Sequence, residues 1–175
     1  MGIDSVETQI FMIGRGGQGV LLLARALSEI AFKRGLRLIS SETHGMAMRG
    51  GTVTASLKIG PFESPLIPAG CADILIGLDK TEAGSHMYML KGSGISIVNA
   101  EDKGPFHYVI DATSLALHLS APGSINMIML GHVLDIVGHD LIEARSIARA
   151  ISPKRSVQKN IQGIEAGFNY LRCKP

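Results

Sequence analysis

Between Ile13 and Leu27 the chain reads IGRGGQGVLLLARAL, with glycines at 14, 16, 17 and 19 running straight into an apolar segment. Glycine loses more backbone entropy on folding than any other residue, so such a cluster implies positive φ or a close backbone approach to another group. Gly14, Gly16 and Gly19 satisfy G-x-G-x-x-G, whose turn aims backbone N–H groups and a helix N-terminus at an anion. Arg15 and Gln18 stand inside this loop, and the Arg15 guanidinium could grip a phosphate or a partner's carboxylate in a fork. The bland alternative is a tight turn whose glycines only let the helix pack close to the strand.

A second stretch, SETHGMAMRGG, gathers Glu42, His44, Gly45, Met46, Arg49, Gly50 and Gly51. Glu42 stands about 20 residues beyond the glycine loop, where a dinucleotide-binding fold places the acid that holds a ribose. For His44 alone a structural imidazole is the more economical reading than a general base. Arg49 followed by two glycines suits a bidentate contact with a phosphate or carboxylate, the alternative being a salt bridge to Glu42 or Asp79. In the third stretch, SINMIMLGHVLDIVG, the stripe Met127, Met129, Leu130, Val133 and Leu134 reads as core and His132 as a helix-surface or packed histidine rather than a ligand. Asn126 is the exception, a polar amide just inside a helix start that could cap it or reach into a cleft. No residue is assigned a catalytic role, and no metal-ligand spacing occurs; Cys71 and Cys173 lie far apart.

The elements that must position these residues follow from periodicity. Gln9 to Ile13 reads as a buried strand and Gly19 to Lys33 as a helix with apolar residues at Val20, Leu23, Leu27, Ile30 and Ala31. Further strands are expected at Arg37–Ser40, Thr52–Gly60, Ala72–Leu78, Ile95–Val98 and His107–Asp111, with SETHGMAMRGG irregular between the second and third. Helices are expected at Lys80–Leu90, Ala112–Leu119, Ser124–Val137, Asp140–Ile151 with Asp140 as N-cap, and Ser156–Leu171. This alternation implies an α/β fold, a doubly wound, mostly parallel, Rossmann-like sheet with a helical C-terminal third. The 175 residues suit one domain over 1–175. A net charge of +2, with basic residues scattered, argues against nucleic acid and an anionic membrane as partners. The absence of a signal-like or membrane-length apolar run suggests a cytoplasmic protein with reduced thiols. Apolar residues make up 46% of the chain and charged residues 18%, which suits a buried sheet and hints at surface covered by a partner.

GRGGQGVLLLARAL, ETHGMAMRGGTV, SPLIPAGCADILIGLDKTEA, SINMIMLG and NIQGIEAGF together resemble the gamma subunit or gamma domain of the 2-oxoacid:ferredoxin oxidoreductases of the pyruvate/ketoisovalerate type. Within that group the likeness is nearest to the small beta subunit of indolepyruvate ferredoxin oxidoreductases. The resemblance runs from Ile10 to about Phe168. Arg15, Met48 and Leu78-Asp79 stand where the family often carries other residues. The resemblance implies one part of a complex that oxidatively decarboxylates a 2-oxoacid to an acyl-CoA. Thiamine diphosphate, magnesium and iron–sulfur clusters would be carried by partner chains, coenzyme A would be the acyl acceptor and ferredoxin the electron acceptor. The implied partners are thiamine-binding alpha and beta chains and a ferredoxin-like chain, with a homodimer left open, and the isolated chain would be inactive. The glycine loop and the R-G-G loop would face the active-site region, the coenzyme A path or a partner. Two other readings stay open: a free-standing dinucleotide-binding oxidoreductase, favoured by the glycine fingerprint and Glu42, and a non-catalytic assembly module of the same fold.

Overall fold

A computed structural model describes residues 7–44 and 50–171. The strands are β1 (Thr8–Arg15), β2 (Leu38–His44), β3 (Thr52–Ile59), β4 (Ala72–Gly77), β5 (Leu90–Asn99) and β6 (Tyr108–Ile110). The helices are α1 (Val20–Lys33), α2 (Lys80–Ser85), α3 (Ala112–His118), α4 (Ile125–Ile136), α5 (Leu141–Ile151) and α6 (Val157–Phe168). One six-stranded sheet runs in the order β2-β3-β1-β4-β5-β6. β1, β4, β5 and β6 pair in parallel, whereas β3 is antiparallel to both β1 and β2. The sheet is therefore mixed, with β3 alone reversed. Parallel neighbours need a crossover of a dozen or more residues; the link between β2 and β3 is shorter, so it closes a hairpin.

Alternation along β1 splits the core. Ile10 and Met12 join the cluster that packs α1, α3, α4, α5 and α6, while Phe11 and Ile13 join a smaller one closed by α2, Ile67 and Phe106. The winding is thus lopsided, with five helices on one face and only α2 and loops on the other. Helix α4 is buried from Asn126 to Leu134, including His132, whose ring meets the edge of Tyr170 at 5.5 Å. A helix apolar on every side belongs in the interior, and α4 lies there, packed against α1, α3, α5 and α6.

The element boundaries that differ most from the sequence reading are the end of β2, the end of the helix after β4 and the start of β5. β2 continues through Ser41–His44 because these residues pair with Val53–Ser56 of β3. The helix expected over Lys80–Leu90 stops at Ser85, gives a 3-10 turn over Met87–Met89, and Leu90 already starts β5. The His86 ring bonds the Glu82 carbonyl at 2.9 Å and stacks between Phe11 and Tyr88, a tertiary anchor that ends the helix early.

At the far end of α1 a charged lock joins three helices. Arg34 holds Glu143 of α5 through Nε at 3.2 Å and Nη2 at 2.8 Å, and His139 Nδ1 lies 2.7 Å from the same carboxylate. Gly138, at φ 85, turns the chain out of α4, and Asp140 caps α5 by accepting from the Glu143 N–H at 2.7 Å. Burial raises the Glu143 carboxyl, but the hydrogen bonds and charges of His139 and Arg34 outweigh it and hold the group below its ordinary value.

Candidate functional site

β1 lies between the antiparallel β3 and the parallel β4. The chain leaves β1 toward β2 and β3 on one side and returns on the other side as β4, which makes the carboxyl ends of β1 and β4 the switch point of the sheet. Open α/β sheets bind ligands at such crevices. The glycine loop sits there. Gln18 Oε1 accepts from the Arg15 N–H at 2.6 Å and the Gln18 N–H bonds the Arg15 carbonyl at 3.0 Å, so the loop is closed by its own residues. Gly14 is packed below it, where a Cβ would come within 2.8 Å of Gln18 Oε1 and 3.0 Å of Leu78. Gly19, at φ 88, is the N-cap of α1, and no side chain caps that helix. The first amides of an uncapped helix have no partner inside it.

The Gly16 N–H donates to the Gly51 carbonyl at 2.8 Å. This bond brings the two glycine-bearing stretches together, because β3 runs backward and starts at the same edge where β1 ends. Gly50 is at φ 74. Gly45, Met46 and Arg49 lie outside the described residues, and of His44 only its backbone place opposite Val53 is described.

Arg15 is already engaged within the chain. Its Nε is 3.2 Å from Asp79 Oδ2 and 3.7 Å from Glu82 Oε1, with its side chain 48% exposed. Asp79 divides its oxygens: Oδ1 caps α2 by accepting from the N–H groups of Thr81 and Glu82, and Oδ2 faces Arg15. Glu82 does the same, with Oε2 accepting from the Thr52 hydroxyl at 3.0 Å. Beyond them the Asn99 side chain donates to the Leu78 carbonyl at 3.1 Å and accepts from the Ala112 N–H at 3.0 Å, joining the ends of β4 and β5 to the start of α3.

Asn126 is 7% exposed and lies directly under Gly19, where any Cβ would collide with its amide; its Oδ1 accepts from the Met127 N–H at 2.9 Å. It belongs to the wall beneath the loop. Glu42 does not stand where the dinucleotide reading needs it. It lies within β2, opposite Ala55, on the sheet's outer edge, with β3 between it and β1. The hairpin occupies the place beside β1 that a ribose-holding strand would take. Thr52 and Glu82 were not singled out from sequence, and Asp79 was named only as an alternative salt-bridge partner of Arg49 and as a departure from the family's pattern. The signal was D-K-T-E at 79–82, a capping-box pattern; the Asp79 cap forms, but the Glu82 carboxylate turns to Thr52 and Arg15. Among the described residues no three His, Cys, Asp or Glu side chains gather as a metal site, and no helix is long and apolar enough to cross a membrane.

A profile of the pyruvate ferredoxin/flavodoxin oxidoreductase family matches residues 9–170. An Archaeoglobus fulgidus protein named indolepyruvate oxidoreductase subunit IorB is 40% identical over 94 residues, which are 54% of this chain and 47% of that relative. A Thermococcus kodakarensis protein named pyruvate/ketoisovalerate oxidoreductases common subunit gamma is 31% identical over 89% of this chain and 92% of its own length. Among solved structures, the gamma subunit of a keto/oxoacid ferredoxin oxidoreductase from Geobacter sulfurreducens superposes with a TM-score of 0.78 at 23% identity, over 97% of this chain and 99% of that one.

Proposed function

The chain belongs to the pyruvate ferredoxin/flavodoxin oxidoreductase family, and we propose from that premise that it is the gamma-type subunit of a 2-oxoacid:ferredoxin oxidoreductase whose glycine edge faces the partner carrying thiamine diphosphate. The observation that carries this reading is the Gly16–Gly51 bond, which sets the glycine loop and the start of β3 side by side at the switch point, next to Arg15 and Asp79. The uncapped start of α1 and the exposed glycines leave backbone amides on that surface for a carboxylate, a phosphate or a partner's carbonyl.

Thiamine diphosphate and magnesium, when bound by the partner, supply decarboxylation; iron–sulfur clusters carry the electrons to ferredoxin. The residues of this chain do not fit a cluster, since two cysteines cannot supply four thiolates. Its contribution is to close one wall of the active-site region and to hold the 2-oxoacid and coenzyme A path away from water. The setting is cytoplasmic, and the 2-oxoacid is chosen by the thiamine-binding chain.

Reconstitution tests this. The purified chain, given thiamine diphosphate, a 2-oxoacid, coenzyme A and a dye acceptor, should not turn over, and adding the partner chains should restore activity. Turnover by the chain alone ends the reading. In the complex, Arg49→Lys should fold normally yet lose much of the activity, because a point charge does not replace a planar fork; a lowered melting temperature with full activity would make Arg49 structural. The dinucleotide alternative is met by titrating the chain with NAD(H) and NADP(H), where no tight binding is expected.

A further inference from the structure

The start of α1 is bare. Gly19, its N-cap, has no side chain to accept from the first amides, and no acidic residue stands in its first turn. The bonding of the helix begins with the Leu23 N–H on the Gly19 carbonyl, so the N–H groups of Val20, Leu21 and Leu22 face out of the helix end, where its partial positive charge lies. An open helix end is common. What sets this one apart is the side chain beneath it.

Asn126 is 7% exposed, and its Oδ1 accepts from the Met127 N–H at 2.9 Å. An N–H requires the oxygen there, so Nδ2 is the end of the amide turned toward Gly19, and it stands where a Gly19 side chain would begin. Nδ2 carries two N–H donors, and among the described residues it gives neither to a partner. A buried donor left unpaired is costly. Asn126 also belongs to the first turn of α4, which holds no acidic residue and whose N-cap Ser124 makes no side-chain capping bond. Two positive helix ends and an unpaired amide thus meet under the glycine loop. Arg15, the nearby cation, is turned to Asp79. Gly17 is exposed, with nothing within 4 Å of where its Cβ would stand, and leaves the entrance bare.

We propose that the first turn of α1 and the Asn126 amide form a binding site for a phosphate group. The N–H groups of α1 project along the helix axis while Nδ2 approaches from the side of α4. A tetrahedral group with three terminal oxygens takes donors from two such directions, whereas a carboxylate offers two oxygens in one plane. The inference rests on the reading above, which leaves this edge to a carboxylate, a phosphate or a partner's carbonyl, and it chooses among them.

The test is a titration of the full chain with inorganic phosphate, adenosine monophosphate, adenosine and acetate, each at constant ionic strength, followed by proton–nitrogen correlation spectra. Phosphate and adenosine monophosphate should move the amide signals of Gly19 to Leu22 and the side-chain NH2 signals of Asn126; adenosine should not, and acetate should act at least tenfold more weakly. Tighter binding of the ester than of the free ion identifies a phosphate ester as the source, and the reverse identifies free phosphate. Asn126→Leu should weaken phosphate about tenfold, and Asn126→Asp, which brings its own anion, should abolish the response, with melting temperatures measured alongside. Silence of the Asn126 side-chain signals, acetate as effective as phosphate, adenosine moving the same signals, or Asn126→Leu binding as wild type would each overturn the proposal. Association with the partner subunits is scored separately. A chain that assembles without a phosphate response loses the site and keeps the subunit reading; one that binds phosphate but no partner keeps the site and loses that reading.

Discussion

A methyl group added at Gly17 would meet nothing within 4 Å among the described residues, whereas one added at Gly167 would fall inside the carbonyl of Ile128. Gly131 repeats the second case from the other helix, where a Cβ would overlap the Ile164 carbonyl. In the α4–α6 contact the missing side chains let two backbones touch, and dense apolar packing fills the rest with Met127, Ile128, Ile161 and Ile164. At the carboxyl edge the missing side chain of Gly17 leaves backbone open to the outside, although Gly14 and Gly19 of the same loop are closely packed. The same residue type thus serves stability in one region and access in the other, and the difference can be measured.

The largest effect is expected at the helix contact. Gly167→Ala or Gly131→Ala should destabilise by about 3 kcal/mol, at the upper end of overpacking costs, because backbone rather than a flexible side chain must move. Denaturant unfolding checks it; a wild-type midpoint would break the comparison. Next comes Gly19→Ala, where a left-handed φ and the Asn126 amide both oppose a Cβ; a loss of about 2 kcal/mol is expected. Adding Asn126→Ala should return part of it by removing the collision, and a strictly additive pair would show that only the backbone conformation matters.

The charged lock belongs to the scaffold side. Glu143→Gln should cost about 1.5 kcal/mol at neutral pH and leave assembly unchanged. Since the folded-state carboxyl lies below its ordinary value, its contribution is complete above the unfolded value and is lost as pH falls below about 4 through the depressed folded value. Melting curves from pH 7 to 3 should therefore converge for wild type and variant at the acid end; parallel curves would sink the assignment. The smallest stability change is expected for Gly17→Ala, about 1 kcal/mol for its positive φ. Its association with the partner subunits should nevertheless suffer more than that of Glu143→Gln. Unaltered association would place Gly17 away from the interface and sharpen the division elsewhere.

Much of the fold was legible in the sequence. The strand, glycine turn and helix from Thr8 to Lys33, the Asp140 cap of α5 and the buried stripe of α4 all lie close to where periodicity and cap chemistry put them. Less of the site was legible. Arg15 reads as a free guanidinium until β4 is placed beside β1, and Glu42 reads as a ribose acid until β3 is placed between β2 and β1. The D-K-T-E pattern at 79–82 specifies a cap, and only the start of β3 diverts Glu82 from it.

What the sequence by itself determined is local: which segments alternate with the period of a strand, which repeat with the period of a helix, where glycine relaxes the backbone and where aspartate caps it. Each of these is settled among residues within a turn or two of one another. Strand order, the lopsided packing of helices, the reversal of β3 and the partners of Arg15 and Glu82 were decided only by the tertiary structure. They are meetings of residues far apart in the chain, Arg15 with Asp79 and Thr52 with Glu82, and the geometry that joins such groups is set by the whole sheet rather than by either neighbourhood.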